Sequence, residues 1–238
     1  CWIWLTAAGA AQYIVDARTA AAWCAGWGLV NNGGLQWYNG SGASVEYATA
    51  IPQNTWHHVA FVRSSSTMTL YYDGVSVSSG ADSTNYTASA GTLYIGNRYS
   101  TSGSSFFPGY ISNLRIVNGT AVYTAAFTPP TSPLTAITNT SLLACQANRI
   151  IDNSTNAFTL TQTGTITHSS FNPFTPSSTY ATYGSTYFDG TSDYLTTPTS
   201  TGFGFGTGTF TFETWVYPTS NPGNGPGTLI DCRSGTNA

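Results

Sequence analysis

The sequence predicts an all-β protein with the architecture of an antiparallel β-sandwich. Its composition favours strands, because Thr, Tyr, Phe and Trp suit a pleated, half-buried surface, and 66 of the 238 residues are Ser or Thr. The strong helix formers are scarce, with two Glu, one Met and no Lys. Short apolar runs broken by Gly, Asn, Asp and Pro recur along the chain at the spacing of a sandwich or barrel.

The clearest strands lie in the first half of the chain. Residues 56–63 (WHHVAFVR) are apolar on both alternating faces, which predicts a central strand that is covered on both sides. Residues 68–80 predict a hairpin, because Asp73-Gly74 tolerates the positive φ of a primed turn. Residues 92–98 and 109–117 predict two further strands.

The second half has its own strands behind a proline-rich boundary. Residues 121–134 contain three prolines, which lack a backbone donor and end regular structure. Residues 141–174 follow as strands around an Asp/Asn/Ser turn, and residues 186–198 and 208–220 alternate as strands again.

The two ends of the chain are similar, which indicates an internal repeat. Trp4 aligns with Trp215 at a shift of 211, and residues 13–18 (YIVDAR) align with residues 228–233 (TLIDCR) at a shift of 215. This alignment makes Trp2 the counterpart of Glu213. The repeat predicts a window cut from a longer polypeptide in permuted order.

The predicted organisation is two partial repeats. Residues 1–133 are the later part of one repeat, residues 134–140 are a Pro/Thr-rich linker, and residues 141–238 are the earlier part of the next. We therefore expect that residues 1–133 do not complete a sandwich alone. They should take strands such as residues 187–195 from the later part, or from a segment that precedes Cys1.

Six segments carry a resemblance to a known family, in family order once the permutation is undone. They are YFDGTSDYL (187–195), FTFETWVYP (210–218), NTWHHVAFVR (54–63), LYYDGVSV (70–77), TLYIGNR (92–98) and GYISNLRIVNGTAVYTAAFTPP (109–130). They resemble the laminin-G-like, concanavalin-A-like lectin jelly-roll family, particularly repeats in marine bacteriophage virion proteins, such as tail fibre or capsid-surface proteins. Residues 142–161 resemble the phage versions in particular.

The resemblance implies a jelly roll of two stacked antiparallel sheets and a module of a larger virion or extracellular structural protein. The expected partners are further copies of the module or other virion proteins, with glycan contact at the host surface as the adhesive role. A purely architectural spacer or decoration module that packs on neighbouring subunits is the alternative, and a glycosidase is the third hypothesis.

Charge excludes several other classes of partner. Only 6% of the residues are charged, compared with about 25% in an average soluble protein. Six scattered Arg face nine carboxylates for a net charge of −3, so a nucleic-acid partner is not expected. No apolar run approaches about 18 residues, so membrane insertion is not expected either.

Catalysis is not expected. Glucanase relatives carry a pair of carboxyls as E-x-D-x-x-E, and glycoside cleavage needs two carboxyls about 5 to 9.5 Å apart. The only glutamates, Glu46 and Glu213, lack such a partner in the sequence. Adjacent strand residues point to opposite faces, so His57 and His58 predict one packed imidazole on each face rather than a metal or acid–base pair.

Two binding sites are predicted, each beside a plain structural alternative. Calcium-binding relatives use loop oxygens, and Asp189, Asp193 and Asn97 are the candidate ligands. The alternative is that the two aspartates form a turn while the asparagine caps a strand end.

Carbohydrate contact is predicted at Trp23, Tyr38 and Asn39, because sugar faces pack on aromatic rings and amides meet their hydroxyls. Trp27 and Trp37 lie in the same stretch within predicted strands, which favours core positions for them.

The four cysteines form no CxxC pair and have no metal-ligand spacing. We expect buried thiols that pack as small apolar groups. A disulfide joining Cys1 to Cys24 or Cys145 to Cys232 is the open alternative.

Overall fold

The computed structural model describes one β-sandwich. The described residues are 2–4, 12–16, 26–29, 33–39, 43–86, 92–97, 106–147, 149–169, 171–174, 185–189, 192–217 and 228–230. They form two antiparallel sheets, as the composition and strand pattern predict, and the only helical element among them is one 3₁₀ turn at Thr201–Phe203. No described helix is long and apolar enough to cross a membrane.

The strands are short and follow one another through turns. In chain order they are β1 (Trp2–Trp4), β2 (Gln12–Asp16), β3 (Gly26–Leu29), β4 (Leu35–Tyr38), β5 (Ala43–Tyr47), β6 (Trp56–Ser64), β7 (Thr67–Tyr72), β8 (Val75–Ala81), β9 (Tyr94–Ile95), β10 (Pro108–Asn118), β11 (Thr140–Ala144), β12 (Thr161–Thr163), β13 (Thr167–Ser169), β14 (Ser185–Asp189), β15 (Tyr194–Thr196), β16 (Phe210–Tyr217) and β17 (Thr228–Ile230).

The two sheets differ in strand order. The first runs β13-β14-β10-β1-β6-β7-β8, with β11 added to β10 and with β16 paired to both β10 and β6. The second runs β12-β15-β9-β2-β3-β4-β5, with β17 paired to β3. We call them the first and second sheet.

An aromatic core lies between the sheets. The Trp37 indole on β4 is fully buried and tilts against the rings of Phe61, Phe210 and Phe212 on the first sheet at 5.2–5.6 Å. Its Nε1 donates to the Tyr86 hydroxyl at 3.0 Å, so the one polar atom of the ring is satisfied inside the core. The core position expected for Trp37 is confirmed.

The central strand and its hairpin are confirmed. Seven consecutive residues of β6, His57 to Arg63, are buried. The two-residue connection from β7 to β8 has φ 47° at Asp73 and φ 79° at Gly74, as a type I′ turn requires. A side chain at Gly74 would also collide with the Phe127 carbonyl oxygen. Both the positive φ and this close contact therefore require glycine at position 74.

Strands from the second half of the chain complete the sandwich of the first half. In the first sheet β14 pairs with β10, and β16 pairs with both β10 and β6. In the second sheet β15 pairs with β9. These pairings agree with the expectation that the first half takes strands from the later part. That residues 1–133 do not complete a sandwich alone, and the division of the chain into 1–133, 134–140 and 141–238, stay predictions.

One place in the first sheet is paired by two segments. Trp2 of β1 and Trp215 of β16 each lie opposite His58 on β6 and Ser112 on β10. The register aligns Trp2 with Trp215 at a shift of 213, so the alignment of Trp4 with Trp215 is wrong by two residues.

The error has a physical cause. A shift of two residues keeps every strand side chain on the same face, so alternation alone cannot detect it. The pairing partners of each residue on neighbouring strands do detect this shift. Glu213 lies opposite Ala60 and Arg115, so Trp2 is not its counterpart.

The described cysteine carries a free thiol. Cys145 is buried after β11, and burial raises the pKa of its thiol to about 12, so it packs as a small apolar group. Cys1, Cys24 and Cys232 lie outside the described residues.

Candidate functional site

The outer face of the first sheet carries aromatic side chains on four neighbouring strands. Trp4 is in register with Trp56 on one side and with Tyr110 on the other. Tyr110 in turn contacts Tyr187 of β14, with ring centroids 5.1 Å apart. We call these residues, together with Phe171, the aromatic row.

These residues face outward because their strand neighbours face inward. Ile111 follows Tyr110 and Phe188 follows Tyr187, and both belong to the buried core between the sheets. The four strand residues of the row are half-buried. An aromatic surface therefore remains partly open to solvent at this end of the sheet.

Phe171 joins the row from the segment that precedes β14. Its ring lies 5.6 Å from Trp4, 5.2 Å from Trp56 and 5.1 Å from Tyr110, with mostly edge-to-face or tilted geometry. Phe171 is 38% exposed, among the largest exposures of the described apolar side chains. Trp4 Nε1 also donates to Asn54 Oδ1 at 3.2 Å, which fixes the orientation of that indole.

Sequence reasoning missed the aromatic row, because its members are far apart along the chain. The available signal was an aromatic residue at the outward position near one end of β1, β6, β10 and β14. That signal becomes visible only when the strand order is known, since four separate strands contribute one side chain each.

The predicted carbohydrate residues lie elsewhere. Tyr38 ends β4 and Asn39 follows it, and both side chains are half-buried in the second sheet. Trp23 lies outside the described residues. Trp27 lies in β3 as expected. The structure thus places two of the three predicted residues side by side and leaves the sugar site a prediction.

The three predicted calcium ligands lie at the ends of three strands, β9, β14 and β15. Asn97 follows β9 and Asp193 precedes β15, two residues beyond the pairing of Ile95 with Leu195. The Asp189 backbone N–H donates to Asp193 Oδ2 at 3.0 Å. The three residues therefore lie near one another in the fold.

The hydrogen bonds of Asp189 and Asp193 are those expected if the two aspartates form a turn. Asp189 Oδ1 accepts the Ser192 N–H at 3.2 Å, and Asp193 is fully buried, with Oδ1 packed against Gly164, where φ is +80°. Burial raises the pKa of Asp193. Ca²⁺ takes six to eight oxygens, and the described residues include no group of three or more His, Cys, Asp or Glu that could hold a metal ion. The calcium site stays a prediction.

A buried charge cluster lies on the same outer face, beneath the segment that follows β10. Glu213 on β16 is fully buried, pairs with Arg115 of β10 and accepts a hydrogen bond from the Tyr123 hydroxyl. His58 Nε2 lies 3.7 Å from Glu213 Oε2. Arg115 also donates to the Thr135 carbonyl at 2.9 Å, which ties the proline-rich stretch to the sheet.

The cluster has shifted protonation equilibria. Burial alone would raise the pKa of Glu213, but the neighbouring His58 imidazole and the charge of Arg115 outweigh burial and lower it. Burial is also the largest influence on His58, and it lowers the pKa of that imidazole. Glu213 is therefore ionised and His58 neutral at pH 7.

This arrangement suits a structural charge rather than a catalytic acid or base. Glu213 has no exposed surface. The rings of Tyr123 and Phe127 stack on each other and meet the His58 imidazole in edge-to-face geometry. Glu46, the other glutamate, is exposed on β5 of the second sheet. The two glutamates belong to different sheets.

The packed positions expected for the two histidines are confirmed. His57 Nδ1 lies 2.8 Å from Asp73 Oδ2 and 2.7 Å from the Tyr72 hydroxyl, whereas His58 faces the aromatic rings on the outer side. The imidazoles point away from one another and do not converge on one ion.

Comparison with known proteins agrees with the architecture. A laminin G family model, described as the concanavalin A-like lectin/glucanases superfamily, matches residues 1–135. The chain belongs to this family, and its two-sheet antiparallel fold is that of a concanavalin-A-like sandwich. No curated protein and no solved structure matches it significantly.

Proposed function

We propose that the chain is a non-enzymatic structural and adhesive module that uses the aromatic row as its contact surface. The observation that carries this proposal is the half-buried line of rings on four adjacent strands, with Phe171 38% exposed beside it. Family membership supports a carbohydrate-binding or structural module in general terms.

The chemistry of the row fits a neutral glycan. Neighbouring strands lie about 4.7–4.9 Å apart, so rings on four strands form an extended platform across the sheet. Aromatic faces pack on the C–H faces of sugars, and a chain rich in Ser, Thr and Asn offers hydroxyls and amides for the O–H groups. With 6% charged residues, the surface offers little to attract an ionic ligand.

The setting of this module is part of the proposal. The resemblance to bacteriophage virion repeats favours a tail fibre or capsid-surface protein, acting on the virion or outside the cell. Its partners are then copies of itself, other virion proteins and host-surface glycans.

Substitution of the row tests the adhesive role. We expect Trp56→Ala or Tyr110→Ala to weaken binding to a glycan array and to host cells by about tenfold each, a loss of about 1.4 kcal/mol per stacked ring. Tyr94→Ala is the matched control, because Tyr94 is a half-buried tyrosine that contacts Tyr194 on the second sheet. Unchanged binding by both row variants, with thermal melts showing that they fold, would contradict the proposal.

A second candidate function is that of an architectural spacer that packs on neighbouring subunits. The same exposed aromatic surface favours it. It requires a continuous subunit interface above roughly 1,000 Å² that covers the row, and no glycan binding. Sedimentation separates the two, because Trp56→Ala should then abolish self-association. A glycosidase would instead release reducing sugar, and Glu213→Gln would remove that activity.

A further inference from the structure

A proline-rich segment crosses the outer face of the first sheet beside the aromatic row. Residues 128–133 (TPPTSP) contain no strand or helix. Just before them, the Phe127 backbone N–H donates to the Gly74 carbonyl at 2.9 Å. Just after them, the Leu134 backbone N–H donates to Asn113 Oδ1 at 2.8 Å. Both ends are therefore fixed, one at the β7–β8 turn and the other on β10. We call residues 128–133 the proline bracket.

The proline bracket is restricted to an extended conformation. Proline fixes its own φ near about −65° and disfavours the helical region for the residue before it. One or both of these restrictions apply to five of the six bracket residues, all except Thr131. The hydroxyl residues of the bracket are exposed and its three prolines are half-buried. The bracket therefore presents proline rings to solvent and has little conformational entropy to lose when a partner packs on it.

The bracket and the aromatic row form two neighbouring strips at different heights. The bracket follows Phe127, whose ring centroid lies 5.4 Å from that of the fully buried His58. Trp56, a half-buried member of the row, precedes His58 by two residues on the same face of β6. On β10, Asn113 follows Tyr110 of the row by three residues. The bracket is thus a raised strip that runs alongside the lower row.

Neither strip carries a charge. No residue between Arg115 and Arg149 is charged, and the row consists of aromatic residues. Contact between the two strips would therefore remove no ionised group from water. Extended proline-rich segments are recognised by surfaces lined with aromatic rings. One face of this chain thus presents both halves of a proline–aromatic contact.

We propose that two copies of this chain associate face to face, with the proline bracket of each packed on the aromatic row of the other. A two-fold axis between the strips and parallel to them places each strip opposite its complement, so one rotation makes the contact twice. The inference rests on the proposed role of the row as a contact surface. It makes the second copy a competitor of glycan for that row.

Sedimentation of variants in each strip tests the dimer. We expect Thr131→Asp to raise the dissociation constant of the dimer at least about tenfold, because it places a carboxylate against aromatic rings in both contacts. Trp56→Ala should raise it by a similar factor. Thr199→Asp is the matched control for charge, since Thr199 is exposed three residues after β15 of the second sheet, and it should leave the dimer unchanged.

A mixture of the two variants tests the reciprocal arrangement. Each variant alone has lost both contacts, whereas a heterodimer of Thr131→Asp with Trp56→Ala keeps one intact bracket opposite one intact row. Because both substitutions disrupt the same contact, their effects are not additive. We therefore expect the mixture to associate about tenfold more tightly than either variant alone. No gain on mixing, or a wild-type chain that is monomeric at about 1 mM, overturns the proposal.

Glycan arrays separate this inference from the proposed function. Thr131→Asp leaves the row intact and should retain glycan binding, whereas Trp56→Ala should weaken it. A dimer that Trp56→Ala dissociates and Thr131→Asp leaves unchanged would overturn the bracket as the occupant and keep the row as a contact surface. Dimerisation and glycan binding that are both indifferent to Trp56→Ala, in a variant that thermal melts show to be folded, would contradict both.

Discussion

Replacement of Arg63 by methionine is expected to lower the free energy of unfolding by about 3–5 kcal/mol, the scale for removing one partner from a buried charged network. Arg63 is fully buried on β6 and donates to the Thr84, Gly206 and Gly208 carbonyls at 2.5–3.0 Å. Those carbonyls would lose their charged donor, and each unpaired buried acceptor costs about 1–3 kcal/mol.

The Arg63 side chain also packs between aromatic rings. Its guanidinium carbon lies 5.0 Å from the Tyr86 ring centroid and 4.9 Å from that of Phe210, and its Nη1 lies 3.9 Å from Asp82 Oδ1. Arg63→Lys should recover only part of the loss, because an ammonium cannot reach three carbonyls in fork geometry.

Arg149→Met is the matched control for this experiment, since Arg149 is exposed. Chemical denaturation should show a change within about 0.5 kcal/mol for that variant. A similar small change for Arg63→Met would show that the loops at 82–86 and 206–208 do not depend on this side chain.

Substitution of Glu213 by glutamine is expected to lower the free energy of unfolding at pH 7 by about 3 kcal/mol, because Arg115 would keep its buried charge without a counter-charge. The pKa of Glu213 is lowered on folding, so its contribution is complete above the ordinary carboxyl value near 4.5 and is lost as the pH falls below it.

His58 acts in the same direction over a neighbouring pH range. Its pKa is lowered by burial, so the unfolded chain takes up a proton below about 6.5 before the folded chain does. Stability of the wild-type protein should therefore decline from about pH 6.5 downward and fall more steeply below about pH 4.5.

Denaturation curves between pH 7 and pH 2.5 check this prediction. Glu213→Gln should flatten the steep lower part, whereas Glu46→Gln, at the exposed glutamate of β5, should retain it and change stability by less than about 0.5 kcal/mol. If stability falls equally steeply below about pH 4.5 in Glu213→Gln, other carboxylates cause the loss.

Features with a local cause could be predicted from the sequence. The hairpin depends on two residues with positive φ, and the Asp73-Gly74 pair in the sequence predicts both positions. The buried strand β6 is apolar on both alternating faces, so its covering on both sides follows from the pattern itself. The grouping of Asp189 with Asp193 is likewise local, because the two residues are four positions apart along the chain.

Features that depend on strand order could not be predicted. The aromatic row takes Trp4, Trp56, Tyr110 and Tyr187 from separate strands, and no spacing along the chain encodes their proximity. The same holds for the pairing of Arg115 with Glu213 across β10 and β16.

The number of glutamates in the sequence does not reveal the structural role of Glu213. The sequence contains two, and scarcity was an argument against catalysis. The structure adds that Glu213 has a distinct role, as the counter-charge that allows Arg115 to be buried on the outer face of the first sheet. Burial of this kind depends on the Tyr123 and Phe127 rings, which come from the segment after β10.

In this structure β16, from the second half of the chain, pairs with β6 and β10 of the first half. A disulfide across β6 and β16 checks this pairing, in the double variant Val62→Cys/Thr211→Cys at micromolar concentration with the native cysteines replaced by alanine. Directly opposite strand residues have Cβ atoms about 4.5–5.5 Å apart, close enough for a disulfide after a small shift. We expect a monomer with this bond, identified by mass spectrometry of its peptides, and a raised melting temperature on oxidation. Thiols that stay free in the folded monomer would contradict it.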